Sequence, residues 1–570
     1  MKIVILSGGS GNDALIKGLE KYVNDDADLE VKVIANAYDN GKSTGVCRAI
    51  TDTLGVSDIR KNHSRMYEAK HKDNLDQNIL EFYNKRYNFS DSGKDVKSQI
   101  FDLLDKWQMA EYKGYVERFF ENPKAKNFKF NDFSVSNIVY AEMYKEIGYE
   151  KTNKHFCDKI GIDDFVVLNS FDNLFIKALT ESGHVIEDEG ETVFWNNSED
   201  KIVKTIYDVK THYGLNKRAI KLVQEADLVV ISTGTFWSSI QPTIEYLNFY
   251  KYINSSKAKK VWVINNEEDG DSFGVSSLDF IKFMEQTGLD LSKFTILLNK
   301  DAKETLKKKN EKYRFVEKSM GNIKGKHNGD KYARALLQVY YDLEDKENYD
   351  KIIFDFDDTI WARKKVEKLE NISMENIKLI NDELYDKAII ISGNSFDSIK
   401  EKLEKVYDRI DKIKVDIWAD ANSTLFKNGK IADFIEDFVI SEKAKPIIDR
   451  FVNKFKLNVK VVGVKPVNYK IKPLSSLERE MAVELLNIKS KNLFKANITG
   501  TTTVDILSCK NDKSVIFDHC NLNGQKTLFI GDELKFGNDV EISKRCSKTL
   551  EVKNVFETNL ILKLLIGEGL

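Results

Sequence analysis

Ile352-Ile353-Phe354-Asp355-Phe356-Asp357-Asp358-Thr359 is an apolar, β-prone run that breaks into three carboxylates and a threonine. Buried parallel strands have this composition, and open α/β sheets place their ligands beyond the carboxyl ends of such strands. Asp355 and Asp357 stand two residues apart, so they point the same way while the strand lasts. Beyond its end they can share one divalent cation. A hard cation such as Mg2+ needs few carboxylates and keeps positions for water and substrate phosphate.

Three later stretches extend the pattern. Ala388-Ile389-Ile390-Ile391-Ser392-Gly393 is a second apolar strand, ending in a hydroxyl. Lys513 follows the apolar run Val504–Leu507, with Lys510 close enough to compete for its place. Thr527-Leu528-Phe529-Ile530-Gly531-Asp532-Glu533 is another strand ending in acids, with Gly537-Asn538-Asp539 just after it. Strand ends thus offer Asp/Asp, Ser, Lys and Asp/Asp in order. The ordered set resembles the haloacid dehalogenase superfamily of aspartyl-phosphate phosphotransferases, from about residue 350 to the end.

That resemblance implies roles which the chemistry supports. Asp355 would be the nucleophile that forms an aspartyl-phosphate. Asp357 would be the general acid, then the base. Thr359 and Ser392 would hold phosphoryl oxygens, and Lys513 would offset developing charge. Asp355, Asp357, Asp532 and Asp539 would form the Mg2+ site.

Composition bounds the remainder. A chain of 570 residues exceeds one core, so two to four domains are expected. Its 88 basic and 90 acidic residues leave a net charge of -2, which provides no footprint for nucleic acid. The cysteines Cys47, Cys157, Cys509, Cys520 and Cys546 are scattered without metal-ligand spacing, so a reduced, cytoplasmic setting is expected. Met1-Lys2 leads straight into a strand, unlike a signal peptide, and no apolar run nears the ~20 residues of a membrane span.

The first strand, Lys2–Leu6, runs into Ser7-Gly8-Gly9-Ser10-Gly11-Asn12-Asp13 and then a helical pattern with Leu15, Leu19 and Tyr22. Strand, glycine loop and helix can cradle phosphate, although neither dinucleotide nor Walker spacing is present. A second strand, Val31–Ala37, ends in Tyr38-Asp39-Asn40-Gly41-Lys42-Ser43-Thr44-Gly45. Later come Ser57-Asp58-Ile59-Arg60, Phe133-Ser134-Val135-Ser136-Asn137, and Ala226–Ile231 entering Ser232-Thr233-Gly234-Thr235.

Together these resemble the family of 2-phospholactate transferase, the coenzyme F420 enzyme, and of YvcK-type proteins that bind nucleotide sugars, over roughly residues 1–340. The likeness includes Val166–Glu191, similar to a hairpin segment, and Asn265–Phe273, similar to an acidic loop. It implies nucleotide or phosphate contacts at Gly8, Gly9, Ser10, Gly11, Asp39, Ser43, Asn137 and Gly234, and Lys42 joins them on charge grounds. The family's usual Asp-Asp-Gly-Gly-Ser run is here Asp39-Asn40-Gly41-Lys42-Ser43. One acid is lost and a cation gained, which weakens the case for metal-assisted transfer.

Residues 61–131 read as a charged helical insertion whose aromatics form their own core, with His63, Arg65 and Lys70 expected in solvent. The polar stretch 342–350 marks a boundary, so the domains are expected at 1–345 and 346–570. Alternating helices and strands over about 440–507 match the position of an α/β cap. The expected fold is α/β: a doubly wound Rossmann-like domain with a helical insertion, then a dehalogenase-type Rossmannoid core with its cap. The acidic motif 531–542 and the segment Lys472–Arg479 resemble the phosphomannomutase and sugar-phosphatase branch. The expected function is a bifunctional enzyme. A nucleotide or nucleotide-sugar module, capable of phospho-group transfer, joins a Mg2+-dependent phosphatase for a small sugar or polyol phosphate. The alternatives are a non-catalytic nucleotide-sugar sensor in the first half and a phosphomutase in the second. Partners are expected to be these small molecules, with neither nucleic acid nor membrane; the sequence is compatible with a homodimer.

Overall fold

The structure is a computed structural model and describes residues 1–570 except 10, 23–28, 91–94, 464, 473–474, 500–502, 536–538 and 568–570. The chain divides into two compact units, Met1–Asp342 and Leu343–Leu570.

The first unit has strands β1 (Lys2–Leu6), β2 (Glu30–Ala35), β3 (Val166–Leu168), β4 (Asn173–Thr180), β5 (Val185–Ile186), β6 (Ile202–Thr211), β7 (Leu228–Ile231), β8 (Lys259–Val263), β9 (Phe294–Asn299) and β10 (Arg314–Lys318). Seven of them form a parallel sheet of order β10-β9-β8-β7-β1-β2-β3. Ile3, Val4, Ile5 and Leu6 are all buried, as are the four residues of β7, because helices cover both faces. The strand order reverses beside β1, between β2 and β7, the place at whose carboxyl ends doubly wound sheets take their ligands. A separate antiparallel sheet, β5-β4-β6, includes the long strand β6, which the sequence reading had missed.

Helices Gln77–Asn84, Val96–Lys106 and Lys113–Glu121 lie between helices Ser57–Lys70 and Val135–Ile147. The side chains of Asp76 and Asp95 cap the first two by accepting from the amides of Asn78 and Ser98. Phe82, Trp107, Tyr112 and Phe119 are buried, and Phe82 stacks on Tyr112 and Phe156. The aromatics thus pack partly on one another and partly on the helix Tyr149–Ile160. His63 is not solvated: it is fully buried between Tyr140 Oη at 2.6 Å and Asn153 Oδ1 at 2.7 Å. Burial lowers its pKa to about 4.

The second unit has strands β11 (Lys351–Asp355), β12 (Ala388–Ile391), β13 (Asp416–Ala419), β14 (Thr424–Lys427), β15 (Lys430–Phe434), β16 (Asn458–Val462), β17 (Asn468–Lys472), β18 (Lys495–Thr499), β19 (Thr503–Leu507), β20 (Thr527–Gly531) and β21 (Lys548–Glu551). Its larger sheet has the order β15-β14-β13-β12-β11-β20-β21, parallel except at the β13-β14-β15 edge. The strand order again reverses beside β11, which lies between β12 and β20. A smaller antiparallel sheet, β16-β17-β19-β18, is covered on one face by helices Lys445–Phe455 and Ser476–Lys489. β19 belongs to this smaller sheet, so Lys513 does not come off a strand of the larger one.

Candidate functional site

β11 delivers Asp355 at its last residue, and β20 delivers Asp532 one residue past its end. Asp539 starts the helix Val540–Arg545. One carboxylate oxygen from each of the three lies within 4.8 Å of the others. Lys513 enters just before the helix Val515–His519 and reaches between them. Its Nζ lies 2.6 Å from Asp355 Oδ1 and 2.5 Å from Asp539 Oδ1, with the lysine side chain only 3% exposed. Lys510, its competitor in the sequence, points to solvent and pairs with Asp437.

Burial pushes the Asp355 carboxyl up to about 8 against the pull of Lys513. Asp532 is pushed to about 6 by burial and by its neighbours Asp539 and Glu533. Burial by itself would lower Lys513, but the carboxylates of Asp355 and Asp539 outweigh it and raise the pKa. Arg363 also acts on Asp532 and Asp355 but makes its own ion pair with Asp358, so when all are ionised the three carboxylates outnumber the cations that face them. Among the described residues, the buried Oδ2 of Asp539 and Oγ1 of Thr359 have no hydrogen-bond partner. An all-oxygen set with this charge fits a hard divalent cation such as Mg2+.

The side chain of Asp357 stands outside that group, contrary to its expected place among the metal ligands. The strand ends at Asp355 and Phe356 already lies in a turn, its carbonyl accepting from the Ile360 and Trp361 amides, so the alternation that would align the two carboxylates does not reach Asp357. Asp357 Oδ2 accepts from Asn394 Nδ2 at 2.5 Å, and Oδ1 pairs with Lys402 at 3.1 Å. Ser392 is buried at the end of β12, where its Oγ accepts the Asn394 amide at 3.1 Å. Asn394 and Lys402 had no sequence signal beyond standing just after Ser392. Gly537 and Asn538 lie outside the described residues.

In the first unit, the loops after β1, β2 and β7 bring Gly8, Gly9, Gly11, Asp39 and Gly234 to the carboxyl ends beside β1, while Ser10 lies outside the described residues. The glycines are bare for packing. A Cβ on Gly9 would stand 2.7 Å from Asp58 Cα, and one on Gly11 would stand 1.8 Å from the Thr233 carbonyl oxygen. Gly234, with φ 155°, donates its amide to Asn265 Oδ1 at 3.2 Å.

Asn137 is engaged internally: it accepts from Arg60 Nε at 2.9 Å and donates to Ser43 Oγ at 3.0 Å. Lys42 pairs with Asp132 at 2.7 Å, and Arg86, from the helical insertion, pairs with the same acid and reaches Ser43. Glu189 is buried and hydrogen-bonded to Asp39, and burial followed by the Asp39 charge raises its pKa. Asp58 is buried nearby, its pKa raised chiefly by desolvation. Ser57–Arg60 was visible as a motif and Glu189 lies within the Val166–Glu191 segment without being singled out there, whereas nothing in the sequence marked Arg86.

A curated relative, the gluconeogenesis factor of Listeria monocytogenes, is 24% identical over 287 residues, covering 50% of this chain and 73% of its own. Among solved structures, protein BH3568 from Bacillus halodurans is 16% identical with a TM-score of 0.45, covering 59% of this chain and 98% of that one. A haloacid dehalogenase-like hydrolase from Bacteroides thetaiotaomicron is 12% identical with a TM-score of 0.30, covering 37% and 98%. The family model for 2-phospho-L-lactate transferase CofD matches residues 3–342. Over that span, more than half its length, the chain belongs to the CofD family.

Proposed function

We propose that the second unit is a phosphatase that hydrolyses a small phosphate monoester, a sugar or polyol phosphate, through an aspartyl-phosphate on Asp355. The observation that carries this reading is Lys513, buried and shared between Asp355 and Asp539. A buried lysine at a nucleophilic carboxylate both holds the carboxylate and offers a point charge to phosphoryl oxygens. Asp355 attacks phosphorus, and Thr359 Oγ1 and Ser392 Oγ offer hydroxyls to the phosphoryl oxygens. Asp357 protonates the leaving oxygen and then takes a proton from the attacking water. Asp355, Asp532 and Asp539 would hold Mg2+, which when bound supplies Lewis-acid charge to the phosphoryl group.

For the first unit the proposal is a nucleotide or nucleotide-sugar binder with capacity for phospho-group transfer. Family membership supports it, as do Arg86 at Ser43, Arg60 linked to Ser43 through Asn137, the neighbouring Lys42, and the Asp39–Glu189 pair. Among the described residues no helix is long and apolar enough to cross a membrane. The five cysteines are free, which suits the proposed reducing, cytoplasmic setting. The test is hydrolysis of p-nitrophenyl phosphate and small sugar phosphates with and without chelator. Activity should vanish in chelator and return with Mg2+. Calorimetric titration of the full chain with nucleotides and nucleotide sugars tests the first unit; no heat with any of them counts against it.

A further inference from the structure

Asp357 is reached from the smaller sheet through a single residue. Along β17, Tyr469 and Ile471 pack into the apolar cluster under the two covering helices, so Lys470 between them points to the opposite face. There its Nζ lies 3.3 Å from Asn394 Oδ1 and 3.9 Å from Asp505 Oδ2 on the neighbouring strand β19. The backbone of Asn394 is pinned on both sides: its amide donates to Ser392 Oγ, and its carbonyl accepts from the Asp420 amide at 2.7 Å. An ammonium has only donors, so the asparagine must turn its carbonyl oxygen to Lys470. Its NH2 is thereby committed to Asp357 Oδ2.

We infer that Asn394 and Lys470 are positioning residues for Asp357, an inference that rests on the phosphatase reading above. Asp357 is held at both oxygens, Oδ2 by Asn394 Nδ2 and Oδ1 by Lys402 Nζ, so its carboxyl is fixed from two sides. In the first half-reaction an Asp355 oxygen bonds to phosphorus. The phosphorus–oxygen bond to the leaving group breaks with its electron pair on the departing oxygen. That oxygen takes a proton from the Asp357 carboxyl. Asn394 holds the carboxyl in place, and Lys470 sets the asparagine's orientation. The smaller sheet thus acts on the proton transfer without touching the phosphoryl group.

The test uses the full chain and aryl phosphates of similar shape but graded leaving groups, from p-nitrophenyl to phenyl phosphate. A nitrophenolate departs without a proton, whereas the more basic phenolate needs one. Asn394→Ala should widen the p-nitrophenyl-to-phenyl ratio of kcat at least tenfold over wild type, with KM nearly unchanged. Lys470→Met should shift the ratio the same way, and Lys470→Arg should restore most of it. A purely structural role would slow both substrates alike. An unchanged ratio in folded Asn394→Ala and Lys470→Met proteins, or losses confined to KM, would overturn the inference while leaving the phosphatase reading intact. A wild-type chain that hydrolyses neither ester with Mg2+ present would instead overturn that reading, and the positioning roles with it.

Discussion

Replacing Lys513 with Met removes the ammonium shared by Asp355 and Asp539 while keeping most of the side-chain volume. Both contacts are within 2.6 Å and the lysine is buried, so solvent cannot take over its part. Taking one partner from a buried ion pair costs about 3–5 kcal/mol, because the charge left behind has no compensation. For a unit of this size each kcal/mol moves the melting temperature by about 2–4 °C, so the transition of the second unit should fall by about 6–20 °C. The orphaned carboxyls can escape part of that cost by binding protons, and burial already pushes Asp355 up to about 8. The deficit should therefore be larger at pH 8 than at pH 5. Added Mg2+ should recover more stability in the variant than in wild type, since the site has gained negative charge. Turnover of p-nitrophenyl phosphate should drop by about 10²–10³. Calorimetry of the full chain at the two pH values, with and without Mg2+, provides the measurement. A Lys513→Met protein with wild-type melting at both pH values and undiminished turnover would refute the buried-pair reasoning.

Two glycines make a matched pair. Gly11→Ala should destabilise the first unit by about 1–3 kcal/mol or more, since the new Cβ meets the Thr233 backbone. Gly114→Ala, in a helix with nothing within 4 Å, should stabilise by about 0.4–1 kcal/mol; equal effects in urea melts would contradict the packing role. His63 and His327 are both lowered from 6.5 to about 4, chiefly by burial. As pH falls below 6.5 the unfolded chain charges first, so the stability these residues leave intact at neutral pH is lost down to about pH 4. The loss should reach about 3 kcal/mol for each. Urea midpoints from pH 7 to 4.5 check this, and a slope that does not flatten in His63→Gln would argue against it.

Much of the second site was legible because its strands carry an unambiguous signal. Ile352–Phe354, Ala388–Ile391 and Leu528–Ile530 are apolar runs that only a two-sided burial explains, and acids or a hydroxyl follow each. What failed was direction past the strand end. Alternation placed Asp357 beside Asp355, but the strand stops at Asp355 and the turn at Phe356 leaves Asp357 facing Asn394 and Lys402. Lys470 reads as one charged residue in an alternating strand, and its meeting with Asn394 depends on how β17 approaches residues far earlier in the chain. His63 looked solvated because its neighbours in sequence are charged; its partners Tyr140 and Asn153 come from helices beyond the insertion. In the first unit the glycines were found, but their spacing could not tell packing against Asp58 and Thr233 from approach to a ligand.

The central claim is that Asp355 carries the phosphoryl group. It is tested most directly by mixing the Mg2+-loaded full chain with radiolabelled phosphate ester, quenching in acid within one turnover, and mapping the label by mass spectrometry. Label on the peptide containing Asp355, absent from a folded Asp355→Asn chain that also loses turnover, is the predicted result. Phosphate release with no label on that peptide, or wild-type turnover in the Asp355→Asn chain, would contradict it.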